Sequence, residues 1–143
     1  MAVDSQISRP IPDIEKNKLY GPYFQGLQNN KLLVQQCNKC EHVQWPARDF
    51  CNRCHDSKLG WKEIQQSGNV YTYSVMYRAF HPWYKDRLPY AVVAVELEEG
   101  IRMLGSYFGS DVESLECGMR MKASFDKVNE DVTVLTWIKD ETK

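Results

Sequence analysis

A mainly β protein, with a short helical arm ahead of a cysteine-paired ribbon and a five-stranded barrel, is predicted by three observations. Two Cys-x-x-Cys pairs, Cys37/Cys40 and Cys51/Cys54, are separated by ten residues. From residue 68 onward, apolar and polar side chains alternate over strand-length runs broken by turn residues. Helical spacing is confined to residues 13–28. The expected units are an arm over residues 1–30, a ribbon over 31–67 and a barrel over 68–143.

The elements follow in order. Residues 1–12 hold Ser5, Gln6, Pro10 and Pro12 and little apolar content, which predicts an arm that is mobile or ordered only by a partner. Asp13 is a candidate N-cap for a first short helix. Gly21-Pro22 interrupts it, and Pro22 suits the first turn of a second helix. Tyr20, Tyr23, Phe24 and Leu27 recur at spacings of three and four and share one face. Two readings fit that face: it packs on the ribbon, or it docks a partner protein. Residues 32–36 read as a strand entering the first cysteine turn, residues 43–46 as the return strand, and residues 61–64 as the closing strand. In the second half, residues 70–77, 90–97, 101–107, 119–127 and 131–138 read as strands. Glu98-Glu99-Gly100 forms a tight turn, and residues 110–118 a short helix or loop. Five strands with one insertion between the third and fourth is the order of an OB barrel, and a small five-stranded barrel of other topology is the alternative.

One Cys-x-x-Cys turn lets two sulfurs approach a single ion, and two such turns complete a tetrahedral thiolate shell. Cys37, Cys40, Cys51 and Cys54 are therefore the predicted ligands of one structural Zn²⁺. Iron is the competing ion, since a similar sulfur cage serves electron transfer. Such knuckles usually carry glycine after the second cysteine, whereas this chain has Glu41 and His55 there; that departure favours zinc. With four thiolates available, His42 and His55 read as surface groups or neighbours of the ligands, and the unpaired Cys117 as structural. A ribbon this small buries little core, so metal binding must supply most of its folding energy.

Composition narrows the function classes. The chain has 143 residues and a formal net charge of −1. Residues 68–143 carry nine Lys/Arg against twelve Asp/Glu, the opposite of the balance expected of a phosphate-backbone binder. No 18-residue apolar run predicts a membrane span. The N-terminus lacks the basic-then-apolar order of a secretory signal, so a reducing, cytoplasmic setting is expected, where paired cysteines ligate metal. A closed thiolate shell leaves no position for substrate, and no nucleophile elbow, Walker loop or dinucleotide fingerprint occurs. No catalytic residue is therefore predicted. His81, beside Pro82 and Trp83, reads as a packing residue. The best ligand candidate is the segment from residue 78 to 87. There Arg78, Lys85 and Arg87 meet phosphates while Phe80, Trp83 and Tyr84 cover an adenine or a pantetheine arm; a solvated loop with buried rings is the alternative.

Several stretches resemble one family. These are Tyr23-Phe24-Gln25-Gly26-Leu27, Leu33-Val34-Gln35-Gln36-Cys37, Trp45-Pro46-Ala47-Arg48 ahead of Cys51-x-x-Cys54, and Gly68-Asn69-Val70-Tyr71-Thr72-Tyr73. The run from Pro89-Tyr90-Ala91 to Glu98-Glu99-Gly100 is the most specific, and Gly118-Met119 also agrees. Over roughly residues 15–140 the chain is similar to the Zn-ribbon/OB-fold acyl-CoA-associated proteins, which pair a rubredoxin-like zinc ribbon with an OB-fold. The resemblance implies a non-catalytic accessory subunit, without activity alone, that binds a thiolase-like enzyme. Relatives support a thiolase-like aldolase in steroid side-chain degradation, or bridge a thiolase and a hydroxymethylglutaryl-CoA synthase. It implies that the subunit helps shape an acyl-CoA site, with Arg78, Phe80, Trp83, Lys85 and Arg87 as CoA contacts and Tyr20, Tyr23, Phe24 and Leu27 as partner contacts. A single-stranded nucleic-acid-binding module and a rubredoxin-like electron carrier are the alternatives from other classes.

Overall fold

Residues 7–141 are described by a computed structural model. Asp13 does not start a helix. Its carboxylate accepts from the backbone N–H groups of Glu15 and Lys16 at 3.1 and 3.2 Å and closes a turn. Ile14 is the only apolar side chain in residues 13–17, so no apolar face exists to extend that turn into a helix. A 3-10 turn at Lys18–Tyr20 then leads into helix α1, Gly21–Gln28, with Pro22 in its first turn, where the missing N–H costs no hydrogen bond. Asn30 leaves the helix with φ 60°.

The ribbon is a three-stranded antiparallel sheet of β1 (Leu32–Cys37), β2 (Val43–Gln44) and β3 (Leu59–Ile64), in the order β2-β1-β3. The return strand is shorter than predicted. It ends before Trp45-Pro46, because a proline cannot donate to the ladder. The barrel is closed and consists of β4 (Ser67–Met76), β5 (Tyr90–Glu96), β6 (Arg102–Tyr107), β7 (Arg120–Lys127) and β8 (Thr133–Lys139), in the order β4-β5-β6-β8-β7. All neighbours are antiparallel except β6 and β8, which meet in parallel with Ser106 opposite Thr136. This is the predicted OB order, with the insertion between the third and fourth barrel strands reduced to a 3-10 turn at Val112–Ser114. Val112 and Leu115 from that insertion are buried in the core.

Two glycines make the closure possible. A Cβ on Gly68 would lie 2.2 Å from the Glu96 carbonyl oxygen, so only glycine lets β4 pass that close to β5. A Cβ on Gly105 would lie 2.7 Å from the indole Nε1 of Trp137, the largest fully buried side chain. The core is continuous. Val93, Val95, Met103, Met121 and Trp137 of the barrel belong to the same cluster as Leu27 of α1 and Leu32, Val34 and Ile64 of the ribbon. Only residues 65 and 66 link β3 to β4. That junction is tied down by the Gln65 N–H donating to Glu98 at 2.7 Å, by the Lys62–Glu99 pair at 3.2 Å, and by Gln66 donating to the Asn30 carbonyl at 2.6 Å. No helix among the described residues is long and apolar enough to cross a membrane.

Candidate metal centre and ligand cleft

The two cysteine turns are near copies of each other. In the first, Cys37 Sγ accepts from the N–H groups of Lys39 and Cys40 at 3.3 and 3.5 Å. In the second, Cys51 Sγ accepts from Arg53 and Cys54 at the same two distances. Each turn closes with an N–H to C=O bond, Glu41 to Cys37 at 3.0 Å and His55 to Cys51 at 2.9 Å. Glu41 and His55 both sit at φ 66°, the left-handed conformation that glycine usually takes. The chain thus makes the knuckle geometry without the glycines.

The four Sγ atoms lie within 4.8 Å of one another. Cys37 and Cys54 are 3.5 Å apart, and Cys40 and Cys51 are 3.6 Å apart. Tetrahedral Zn–S bonds of about 2.3 Å would place sulfurs about 3.8 Å apart, so the set fits one zinc ion. The thiols pull one another in opposite directions. Cys37 is lowered, chiefly by the Cys40 N–H against the effect of burial. At Cys51, burial raises the thiol, but the N–H bonds from Cys54 and Arg53 and the neighbouring sulfurs outweigh it. Cys54 is raised: the Asp56 N–H draws it down, while burial and the surrounding sulfurs prevail. Sulfurs this close cannot all ionise unaided, and a divalent cation supplies the missing charge. These four cysteines hold a structural zinc ion. His42 and His55 stand outside the set, and Cys117 is exposed.

Behind the cage lies a buried amide pair absent from the sequence-based site. The Gln44 side-chain N–H donates to Gln35 Oε1 at 2.8 Å, and Gln35 Oε1 also accepts from the Arg48 N–H at 2.8 Å. Gln35 Nε2 donates to the Arg48 carbonyl at 2.9 Å. Gln44 reaches onward to Phe50 O and Asn52 N–H at 3.2 and 2.9 Å. Both amides are buried. They fasten the segment that carries the second cysteine turn to the strands that carry the first. A glutamine within a strand pattern carries no signal that separates a buried amide from a solvated one.

Of the four residues expected to meet a partner, Leu27 is buried at 1% exposure in the chain's own core. Tyr20, Tyr23 and Phe24 are half-buried. Tyr23 lies 4.7 Å and Tyr20 5.5 Å from the ring of Trp45, and Tyr23 and Phe24 meet at 5.4 Å. Burial pushes the Tyr23 phenol well up.

The five expected CoA contacts separate into two groups. Trp83 and Arg87 face an open cleft of about 600 Å³ beside the barrel, together with Arg9, Asp86, Phe108 and Asp126. Arg87 lies 3.6 Å above the Trp83 ring and donates to the Trp83 carbonyl at 2.6 Å. Arg78, Phe80 and Lys85 do not line this cleft; Arg78 lies 5.9 Å from the 79%-exposed Phe80 ring on the outer surface. The loop is built on rings: Tyr84 stacks on Tyr90 at 4.7 Å, and Trp83 meets Phe108 edge-on at 5.8 Å. His81 accepts from the Trp83 N–H at 3.1 Å and caps the 3-10 helix Pro82–Arg87.

Comparison with known proteins decides the family. Residues 24–60 match the domain described as "ChsH2, rubredoxin-like zinc ribbon domain", and residues 61–126 match "ChsH2, C-terminal OB-fold domain". A "DUF35 domain-containing scaffold protein" of Methanocaldococcus jannaschii is 36% identical over 102 residues, covering 70% of this chain and 71% of the relative. The chain belongs to the ChsH2-type DUF35 family. A second DUF35 scaffold protein, from Methanothermobacter thermautotrophicus, is 33% identical over 73% of this chain and 78% of its own length. A Thermomonospora curvata protein named "Probable enoyl-CoA hydratase alpha subunit" is 27% identical over 88% of this chain, which spans 38% of that relative. In fold, this DUF35 chain is similar to the chain described as "Ltp2-ChsH2(DUF35) aldolase", with TM-score 0.78 and 24% identity over 92% of this chain and 98% of that one. It is also similar to a DUF35 protein of unknown function from Sulfolobus solfataricus, with TM-score 0.59 and 22% identity over 88% and 90% of the two chains.

Proposed function

We propose that this chain is an accessory subunit, without turnover of its own, that binds a thiolase-like enzyme and helps shape its acyl-CoA site. Family membership carries the reading. Two relatives are named as DUF35 scaffold proteins, one relative carries an acyl-CoA enzyme's name, and a chain of similar fold is described as an aldolase. The chemistry of the chain agrees. Its zinc ligands form a closed four-sulfur shell, which serves folding and leaves no open position for a reacting group. The role left to the chain is to present surfaces. On this reading the outer edges of Tyr20, Tyr23 and Phe24 and the exposed pair Arg78 and Phe80 contact the partner, while the cleft of Trp83 and Arg87 lies toward the CoA.

The test is affinity capture of the full chain from native extract, followed by mass spectrometry and thioester assays. The expected result is co-purification of a thiolase-like enzyme whose C–C bond-forming or -cleaving rate falls when the two are separated. Multiple-turnover thioester chemistry by the purified chain alone, or capture of no such enzyme, overturns the proposal.

A further inference from the structure

The sequence predicts an arm over residues 1–12 that is mobile or ordered only by a partner; residues 1–6 lie outside the described residues, and Arg9 is anchored in the cleft. Its guanidinium lies 4.8 Å from the Trp83 ring centre and 5.7 Å from that of Phe108. It is paired with Asp126 on β7 at 3.3 Å, and its side chain is only 15% exposed. Residues 7–12 have no regular secondary structure, and the Arg9 side chain ties the segment to the barrel. The same indole carries Arg87 at 3.6 Å. Two guanidinium groups therefore share one ring. Arg9 is neutralised by Asp126, but Arg87 is in no ion pair among the described residues.

Two planar five-donor forks beside one cleft are suited to a phosphate group, which accepts bidentate hydrogen bonds from arginine. Trp83 and Phe108 add a flat apolar wall for the non-phosphate part of a ligand. Asp86 and Asp126 on the same rim offset the formal charge of the two arginines. Selection then rests on short-range fork geometry, with little long-range attraction.

We propose that Arg9 and Arg87 form a two-jawed clamp for the phosphate end of a ligand that also has an apolar arm, the chemistry of an acyl-CoA, with Arg9 carried into place by residues 7–12. Asp126 holds the Arg9 jaw in position and the ligand's phosphate bridges it to Arg87. This assignment rests on the acyl-CoA reading above. It adds a residue and a segment that the loop motif did not contain, and it makes the N-terminal segment part of the binding site.

The test uses the full chain with zinc bound. Calorimetric titrations with CoA, with 3′,5′-ADP and with pantetheine are compared for the wild type, Arg9→Gln, Arg9→Lys and the control Lys122→Gln, at an exposed residue away from the cleft. Hydrogen exchange is followed at residues 8–13. Unchanged melting temperatures confirm that the variants are folded. The expected result is at least a tenfold loss of CoA and ADP affinity in Arg9→Gln. Arg9→Lys, which keeps the charge and loses the fork, also weakens binding, and Lys122→Gln changes it less than twofold. Pantetheine binding should be indifferent to residue 9, and CoA should slow exchange in residues 8–13 of the wild type. Equal CoA affinity in wild type and Arg9→Gln, equal losses in Arg9→Gln and Lys122→Gln, or no CoA binding by the wild type overturns the clamp. A chain that captures its thiolase-like enzyme and fails this test leaves the accessory-subunit reading intact and removes the clamp alone.

Discussion

Gln35 shows how much a single polar side chain carries in the ribbon. Its amide satisfies both the N–H and the C=O of Arg48 and accepts from Gln44, with no solvent to replace it. Removing one partner of a buried pair leaves groups unsatisfied at about 1–3 kcal/mol each. Gln35→Ala is therefore expected to lower the melting temperature and to speed zinc transfer to a chromogenic chelator. Gln36→Ala, on an exposed bond to Glu41, should do so far less. Equal zinc-transfer rates for the two variants would contradict this role. At this scale the four ligands were legible in the sequence because ligation demands one residue type at short spacing. The amide pair was not, because a glutamine in a strand has no pattern that separates a buried amide from a solvated one. Arg9 was hidden for a related reason. A cation–π contact between residue 9 and residue 83 joins positions far apart in sequence, and nothing local marks either end.

Among the elements, the insertion between β6 and β7 is held by a three-residue staple. Tyr107 at the end of β6 donates to Asp111 at 2.5 Å, and Lys139 on β8 donates to the other carboxylate oxygen. The Lys139 bond, then the Tyr107 bond, hold the Asp111 carboxyl down at about 2. Burial and Asp111 together push the Tyr107 phenol up. A carboxyl with a folded pKa below its unfolded value adds stability that is complete above about pH 4. That stability fades as the pH falls toward about 2. Melting temperatures of the wild type and Asp111→Asn should thus differ most near neutrality and converge near pH 2. A constant gap across that range would show that the staple is not electrostatic. Strand positions were readable from alternation, and the turn at Glu98–Gly100 from its glycine, which has φ 74°. The helix predicted to begin at Asp13 was not formed, because a capping residue marks a start only when an apolar face follows. The shared face of Tyr20, Tyr23 and Phe24 was correctly grouped, and the ring it packs against, Trp45, lies beyond helical reach and had no signal in the helix itself.

For the molecule as a whole, the continuous core decides how the parts respond to metal. Leu32, Val34 and Ile64 come from strands that bear or flank the zinc turns, yet they pack in one cluster with Val70, Val95 and Met121 of the barrel. Removing zinc withdraws the constraint that folds the ribbon and so uncovers part of that cluster. Chelation by EDTA, and the Cys40→Ser variant, are each expected to abolish stoichiometric zinc and to lower the melting temperature followed through the buried Trp137. An unshifted barrel transition in metal-free protein would show that the two parts are energetically separate. The OB order was readable from strand count and the place of the insertion. The merging of two modules over one core was not, because the residues at the seam are ordinary strand valines, leucines and isoleucines.

The two-residue passage from β3 to β4 has a consequence for any partner that binds this chain. With Gln65 and Gln66 both anchored, the zinc knuckles and the barrel mouth stand at a set bearing, like the arms of a carpenter's square. A companion that touches both must match that angle, and one extra residue at the corner would change the angle while the pairing of β4 with β5 and β7 keeps its own register.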